Sequence, residues 1–397
     1  MRDAYSRRAL LAGLPLFASL RTAAAPSPAG LKITKFVIHK ATLRWRSLLN
    51  LEIHTDGGLI GVGDGSLHTR CSVVEAALRW LEPHLKGLDP AGVEQHWDRM
   101  YYGLTRWRGG PVLMTGVSAV DLALSDLEGK RLGVPVWRLL GGSLRPAFRV
   151  YYSHWDQGAK DQSPAGMAER AQETLAQGWT AVKWSVPRAA SEAERIQATV
   201  RRLEAIRRAV GDKLDIGLEL WESFTVRSAI QFAEAVHPYK PLFIEEPLQR
   251  ENPLAFTEVA AKSPVPVATG EGLINRYEFR QLLEAKGATI IQPDVLHCGG
   301  ITELRKIANL AESFGVEVAP HQSSGPLGFV ASLTAMSVCR NFLIQEWEAA
   351  DDALFVELTG GRYPVQEGGL VRLPDAPGLG LNVDFVQLSK RFPYVSG

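Results

Sequence analysis

Three glutamates recur at equal intervals, Glu219, Glu245 and Glu271, 26 residues apart each time. Spacing alone carries little weight, because 43 of the 397 residues are acidic. Their context carries more. Each closes a run of Val, Ile, Leu or Phe that would otherwise be buried, in LDIGLEL, PLFIEEP and VPVATGEG. A buried carboxylate without a partner is costly, and three meeting on one rim repel unless a cation sits among them. A small set of hard oxygen ligands suits Mg²⁺, with water and substrate completing the octahedron. The competing reading is three separate salt bridges to Lys or Arg of neighbouring helices. Other ionisable groups end similar runs: Lys183 in TAVKWSV, Asp294 in TIIQPD, His321 in VEVAPH and Glu346 in FLIQEW. A lone histidine at such a place is more often structural. One strand from Asp294, His321 reads instead as a base oriented by a carboxylate and neutral near pH 7.

The elements that must carry these groups follow a regular grammar after Arg149. Eight β-rich runs begin with FRVYYS and end with FLIQEW, separated by amphipathic stretches such as SEAERIQATVRRLEAIRRAVG. Gly178, Gly211, Gly287 and Gly315 follow such stretches, where a left-handed residue stops a helix. Eight β-then-α units predict an α/β fold, a (β/α)8 TIM barrel over residues 147–370, whose active site gathers where strands end. A doubly wound open sheet competes, but no GxGxxG follows a first strand. Residues 31–146 read as strands, a hairpin at Asp56, Gly57 and Gly58, and then helices, one of them from Met114 to Leu132. This is the pattern of a small α+β capping domain. The Gly- and Pro-rich segment 371–397 reads as a return to that cap.

Composition excludes other classes. With 44 Lys and Arg against 43 Asp and Glu there is no basic field for nucleic acid. Cys71, Cys298 and Cys339 are too few and too scattered for a disulfide framework or a CxxC knuckle, and read as small buried residues. At the N-terminus, Ser6, Arg7 and Arg8 precede the mostly apolar residues 9–20 and then Ala23, Ala24 and Ala25. This predicts a twin-arginine signal peptide over residues 1–25 and a periplasmic, exported protein; an ordinary N-terminal helix is the competing reading. The remaining chain would carry 40 basic and 42 acidic residues and no membrane span, and a homo-oligomer is expected.

Beyond these patterns, nearly all of residues 31–397 resembles the enolase superfamily, in its mandelate racemase/muconate lactonizing enzyme-like group. Within it the chain is most similar to galactonate dehydratase-type sugar-acid dehydratases. The resemblance rests on RGGPVLM, GKRLGVPVWRLLGG, PLFIEEP, VATGEGLINRYEFRQLLEAKGATIIQPDVLHCGGITE, VAPHQSSGPLG and APGLGLNVD. It implies a capping domain over a barrel and one Mg²⁺ per subunit on Glu219, Glu245 and Glu271. It also implies a His321–Asp294 base, with Glu346 and Lys183 near the carboxylate of a small-molecule substrate.

Three positions depart from the pattern. Ser185 stands where racemases of the group carry a second Lys, and Trp221 where galactonate dehydratases carry a His that assists the leaving hydroxyl. The first ligand is also Glu219, where the family usually has Asp. A single base favours dehydration of a sugar acid to a 2-keto-3-deoxy acid. Epimerisation or racemisation, lactone cycloisomerisation, and a non-catalytic sugar-acid binding protein are the alternatives. With Trp221 in place of the acid, His321 itself, His154, Tyr152 or water must aid the leaving group. Arg44, Trp45, Arg46, His68, Trp107, Arg108 and His297 are further candidates near the site. Arg108 and His154 are taken as substrate contacts, although a solvated or snorkelling role is the commoner one for each loop side chain, and His297 could equally be structural.

Overall fold

The computed structural model describes residues 30–396; the leader read at residues 1–25 lies outside them. Strands β1 (Ile33–Leu43), β2 (Arg46–Thr55) and β3 (Ile60–Asp64) pair antiparallel in that order. Helices α1 (Cys71–Leu85), α2 (Val93–Asp98), α3 (Pro111–Leu132) and α4 (Val136–Leu139) complete the cap. α2 runs on into a π-helical turn, Arg99–Gly103, which no hydrophobic period announces.

Helix α3 begins at Pro111, three residues before its apolar pattern does, because proline at the first helical position needs no hydrogen-bond partner. Every residue from Met114 to Leu127 is buried, so α3 is a rod between the cap sheet and the barrel and not a surface helix. Its polar residues sit at those contacts. Ser118 Oγ accepts the Gly299 N–H at 2.9 Å and Asp121 Oδ1 accepts the Thr302 N–H at 3.2 Å. Asp126 takes the N–H groups of Val62 and Leu379 at 2.9 and 2.7 Å.

Eight parallel strands follow: β4 (Phe148–Ser153), β5 (Ala181–Ser185), β6 (Asp215–Glu219), β7 (Phe243–Glu245), β8 (Val267–Thr269), β9 (Ile290–Ile291), β10 (Glu317–Val318) and β11 (Gln345–Trp347). Their hydrogen-bonded order is β10-β9-β8-β7-β6-β5-β4-β11, and a parallel bridge from Val318 to Phe342 closes the ring. Between successive strands run α5 (Pro164–Ala176), α6 (Glu192–Val210), α7 (Val226–Val236), α8 (Pro253–Lys262), α9 (Arg276–Glu284), α10 (Gly300–Ser313) and α11 (Pro326–Met336), with α12 (Asp352–Leu358) after β11. The interior is filled by Tyr151, Ala181, Phe243, Ala268, Ile290, Ala319 and Ile344, bulky beside small, so the barrel is a packed core.

Not every helix stops as the sequence suggests. Gly178 and Gly315 have positive φ (83° and 71°), but after α9 it is Lys286, not Gly287, that turns left-handed (φ 55°). Beyond the barrel, β12 (Leu370–Val371) pairs antiparallel with β4 and α13 (Phe385–Arg391) leads back to the cap, where Pro393 bridges Ala41. Among the described residues no helix is long and apolar enough to cross a membrane. All three cysteines are buried thiols.

Asp121 makes the joint between α3 and α10 pH-sensitive. Its Oδ2 is buried with no hydrogen-bond partner among the described residues, and burial pushes the carboxyl up to about 7. Because the folded state holds this proton to higher pH than the unfolded chain, stability falls as pH rises from the ordinary value of 3.8 to about 7. Asp121→Asn keeps an acceptor for Thr302 and is expected to flatten that decline. Denaturation midpoints at several pH values check it, and an unchanged slope counts against the assignment.

Candidate active site

Glu219 and Glu245 end β6 and β7 and are register partners, so adjacent parallel strands set their carboxylates side by side. Glu271 lies two residues past β8, on the loop and not at a strand end. The chain reaches it through Gly270, whose φ of 124° and whose place against the Phe279 ring (a β-carbon would come within 2.7 Å) exclude any side chain. One oxygen from each glutamate lies within 4.8 Å of the other two. Carboxylate oxygens at that spread fit a hard divalent cation, which would draw them inward.

Lys183 sits in the middle of β5, opposite Gly217 of β6. A β-carbon on Gly217 would stand 2.7 Å from the Phe243 ring and 3.3 Å from Lys183 Cγ, so glycine spares the ring and leaves the lysine stem uncrowded. The ammonium hydrogen-bonds Glu245 Oε1 and lies 3.0 Å from Glu346 Oε1 and 3.8 Å from Glu219 Oε2. Burial alone would lower its pKa, but Glu245, Glu346 and Glu219 hold it well above the ordinary lysine value. Lys183 is thus a fixed cation shared by three acids.

Glu346, on β11, also accepts from Ser153 Oγ at 2.6 Å and from the Gln322 N–H at 2.8 Å. Although burial opposes it, Lys183 and His321 hold this carboxyl far below its usual range. Glu219 goes the other way: burial, and then Glu245, push it well above the ordinary value.

Asp294 and His321 each lie three residues past their strands, β9 and β10. The Leu296 N–H occupies Asp294 Oδ1 at 2.7 Å, which leaves Oδ2 for His321 Nδ1 at 2.8 Å. A carboxylate only accepts, so Nδ1 carries the proton and Nε2 faces the glutamates, 3.5 Å from Glu271 and 3.8 Å from Glu346. Burial alone would lower the His321 pKa, yet Glu271, Glu346 and Asp294 raise it to about 10. The sequence-based expectation of a neutral imidazole near pH 7 therefore needs correcting: the surrounding carboxylates favour imidazolium. A neutral base requires positive charge seated among those carboxylates to offset them.

The remaining candidates divide. His154 lines the cavity, with Nδ1 2.7 Å from Glu348. His297 lines it too: Thr115 Oγ1 donates to Pro111 O, so His297 Nδ1 donates to Thr115 at 3.0 Å, and its Nε2 lies 3.7 Å from Asp294. Trp45, His68, Ser185 and Trp221 line it as well. Tyr152 does not belong to this wall. Strand alternation turns it outward, 5.1 Å from the Trp179 ring, while Tyr151 points in. Arg108 is absent from the lining and packs 4.8 Å from the Tyr102 ring; Trp107 is 90% exposed beside it. Arg46 is a buried clamp, not a solvated side chain: it donates to Ser324 O at 2.6 Å and pairs with Asp351, which also takes Arg44 at 3.0 Å.

Four partners escaped the sequence reading: Ser153, Gln322, Gln292 and Glu246. Gln292 donates to Glu245 Oε2 at 2.6 Å, and a glutamine inside the apolar run TIIQPD was the available signal. Glu246 takes Thr269 Oγ1 and the Gly270 N–H, both at 2.7 Å, and burial raises it to about 8. Lys183, Glu219, Glu271, His321 and Glu346, with Ser153 and Glu246, line one cavity of about 720 Å³ between cap and barrel.

Residues 27–141 match the family model of the mandelate racemase/muconate lactonizing enzyme N-terminal domain, and residues 166–387 match the enolase C-terminal domain-like model. A D-galactonate dehydratase of Ralstonia nicotianae is 36% identical over 362 residues, 89% of this chain and 92% of that protein. One of Cronobacter sakazakii is 34% identical over 369 residues, covering 91% and 94% respectively. The crystal structure of a mandelate racemase/muconate lactonizing enzyme from a Jannaschia species superposes with a TM-score of 0.83 at 31% identity, over 92% of this chain and 98% of that one. A mandelate racemase/muconate lactonizing enzyme-like protein from a Roseovarius species gives 0.83 at 30%, over 92% and 96%.

The three-glutamate geometry generates a binding test. Mg²⁺ at a hundred times its dissociation constant should stabilise the protein by about 2.7 kcal/mol, seen as a thermal shift reversed by EDTA. Glu271→Gln should lose most of that shift. A full Mg²⁺ response in the variant would remove Glu271 from the ligand set.

Proposed function

The chain belongs to the enolase superfamily, in its mandelate racemase/muconate lactonizing enzyme group, and from that premise we propose that it is a Mg²⁺-dependent dehydratase of a galactonate-like sugar acid. The product is a 2-keto-3-deoxy acid. The observation that carries this reading is one oriented imidazole, His321 on Asp294, facing the three-glutamate cluster in a single cavity. The relatives named D-galactonate dehydratase support the same reaction class.

Glu219, Glu245 and Glu271 would hold the ion. When bound, Mg²⁺ supplies Lewis-acid stabilisation of the charge that builds on a substrate carboxylate as its α-proton leaves. The chain's own residues do the rest. Lys183, a permanent cation beside Glu346, attracts and orients the substrate carboxylate. His321 Nε2 takes the α-proton while Asp294 fixes the ring's tautomer and direction. Ser185 offers no second base on the opposite face, so abstraction is one-sided. Trp221 cannot protonate a leaving hydroxyl as histidine would. With Tyr152 turned away, the donor is His321 itself, in a syn elimination, or His154 in the same cavity.

His321→Asn is expected to lower keto-acid formation by about 10²–10⁴-fold. Turnover of galactonate and related acids in D₂O measures it, with one-sided α-deuterium exchange that the variant loses. Exchange into both α-epimers without keto acid would instead establish an epimerase.

Export is proposed on the leader sequence, in which Arg7 and Arg8 precede the apolar residues 9–20 and Ala25. Replacing both arginines by lysine should hold the protein in the cytoplasm uncleaved, as cell fractionation and the mature N-terminus report. Undiminished export of the double variant excludes the twin-arginine route.

A further inference from the structure

We propose that the outer half of the cavity is a sugar-binding subsite built on Trp221 and Trp45, and that the substrate is a sugar acid carrying a second sugar ring. The inference rests on the acid-dehydratase reading and adds the substrate class to it. Lys183, Glu346, His321, Glu219 and Glu271 supply only part of the cavity's wall. The whole measures about 720 Å³, in the range that encloses a drug-sized ligand and well beyond the needs of one six-carbon acid.

Beyond the ionisable groups the wall changes character. Trp221 is 61% exposed and Trp45 39% exposed, although large indoles are ordinarily buried, and both line the cavity. The backbone of Trp221 and the ring of Trp45 are each held in place. The Trp221 N–H donates to Glu219 Oε1 at 2.6 Å and the next N–H, of Glu222, donates to Glu246 O at 2.7 Å. Both residues are held at φ 52°, so the turn that seats the first glutamate also fixes the backbone that carries the indole. Trp45 is packed edge-on against His68 and His154 at 5.4 and 5.5 Å.

An indole face carries negative potential and attracts the weakly positive C–H face of a sugar ring, whose hydroxyls then project from the ring's edge. His68, Arg70 and the Glu222–Arg250 pair, joined through Arg250 Nε and Glu222 Oε1, line the same cavity and offer their remaining donors and acceptors to such hydroxyls. A purely aromatic substituent would leave those groups unused. The linkage must spare C2 and C3, so a sugar on O4 fits. His321 takes the C2 proton, the C3–O bond breaks, the departing hydroxide is protonated to water, and the enol becomes the 2-keto acid with the glycosidic bond intact.

The test uses full-length His321→Asn protein loaded with Mg²⁺, which binds without turning over. Calorimetry compares gluconate and galactonate, each free and with a galactosyl group at O4. In at least one pair the galactosyl acid should bind tenfold or more tightly than the free acid. Adding Trp221→Ala should bring that ratio close to one, and Trp221→Phe should retain most of it. Because the readout is a ratio, a partly unfolded variant does not distort it. Ratios within twofold in both pairs, or a ratio unchanged by Trp221→Ala, overturn the subsite. A benzyl group at O4 that gains as much as galactosyl overturns the sugar class. The two readings separate in wild-type protein. Tight galactosyl-acid binding without any keto acid keeps the subsite and rejects dehydration; keto acid from free acids with no galactosyl preference does the reverse. No binding by any of these acids rejects both.

Discussion

Like-charge repulsion at one end of the barrel is the constraint to which the rest of the molecule answers. Glu219, Glu245, Glu271, Asp294 and Glu346 converge there against the positive charge of Lys183 and His321. Where they are buried, such groups are tolerated only with partners in good geometry. Ser153, Gln322, Gln292 and the Leu296 N–H supply them, from β4 and from the loops after β10 and β9. Gly217 belongs to the same solution, since a side chain there would press on the Phe243 ring and the Lys183 stem. The negative charge still outweighs the positive. Glu219 and His321 both answer by favouring their protonated forms, and both would be released by a divalent cation.

The cap is held to this barrel by polar contacts as well as by packing. Arg46 and Arg44 reach Asp351 in the loop after β11, and Arg46 also caps backbone carbonyls after β10. Trp97 and Ser118 grip Gly299 ahead of α10 from the other side. The hairpin that delivers Trp45 to the cavity is therefore anchored by its own neighbours, and the chemistry and the recognition surface are fixed relative to each other.

Much of this was legible in the residues. Eight short apolar runs with Gly-punctuated helices between them identify a barrel, and polar residues at the ends of such runs stand out because burial there needs a reason. What the pattern misplaced has physical causes. Glu271, Asp294 and His321 lie on loops because β8, β9 and β10 are only two or three residues long. Tyr152 was misread because strand alternation decides which of two adjacent tyrosines enters the interior. Arg46 looks like a surface residue until Asp351, 305 positions away, is brought beside it. Helix α3 hides its role because a rod buried all round shows no amphipathic stripe. Trp221 was noticed as a missing acid, and only its exposure in the cavity wall gives it a role of its own.

The return of the chain's end to its beginning governs how the molecule can be made. Pro393 bridges Ala41, the Val395 N–H donates to Thr42 Oγ1, and the Leu379 N–H closes on Asp126. These pairings join segments separated by nearly the whole chain, so ordering them early would cost the most loop entropy. Residues 379–395 complete β1 and the heart of α3, so the cap, although its strands and helices come first in the chain, is finished last.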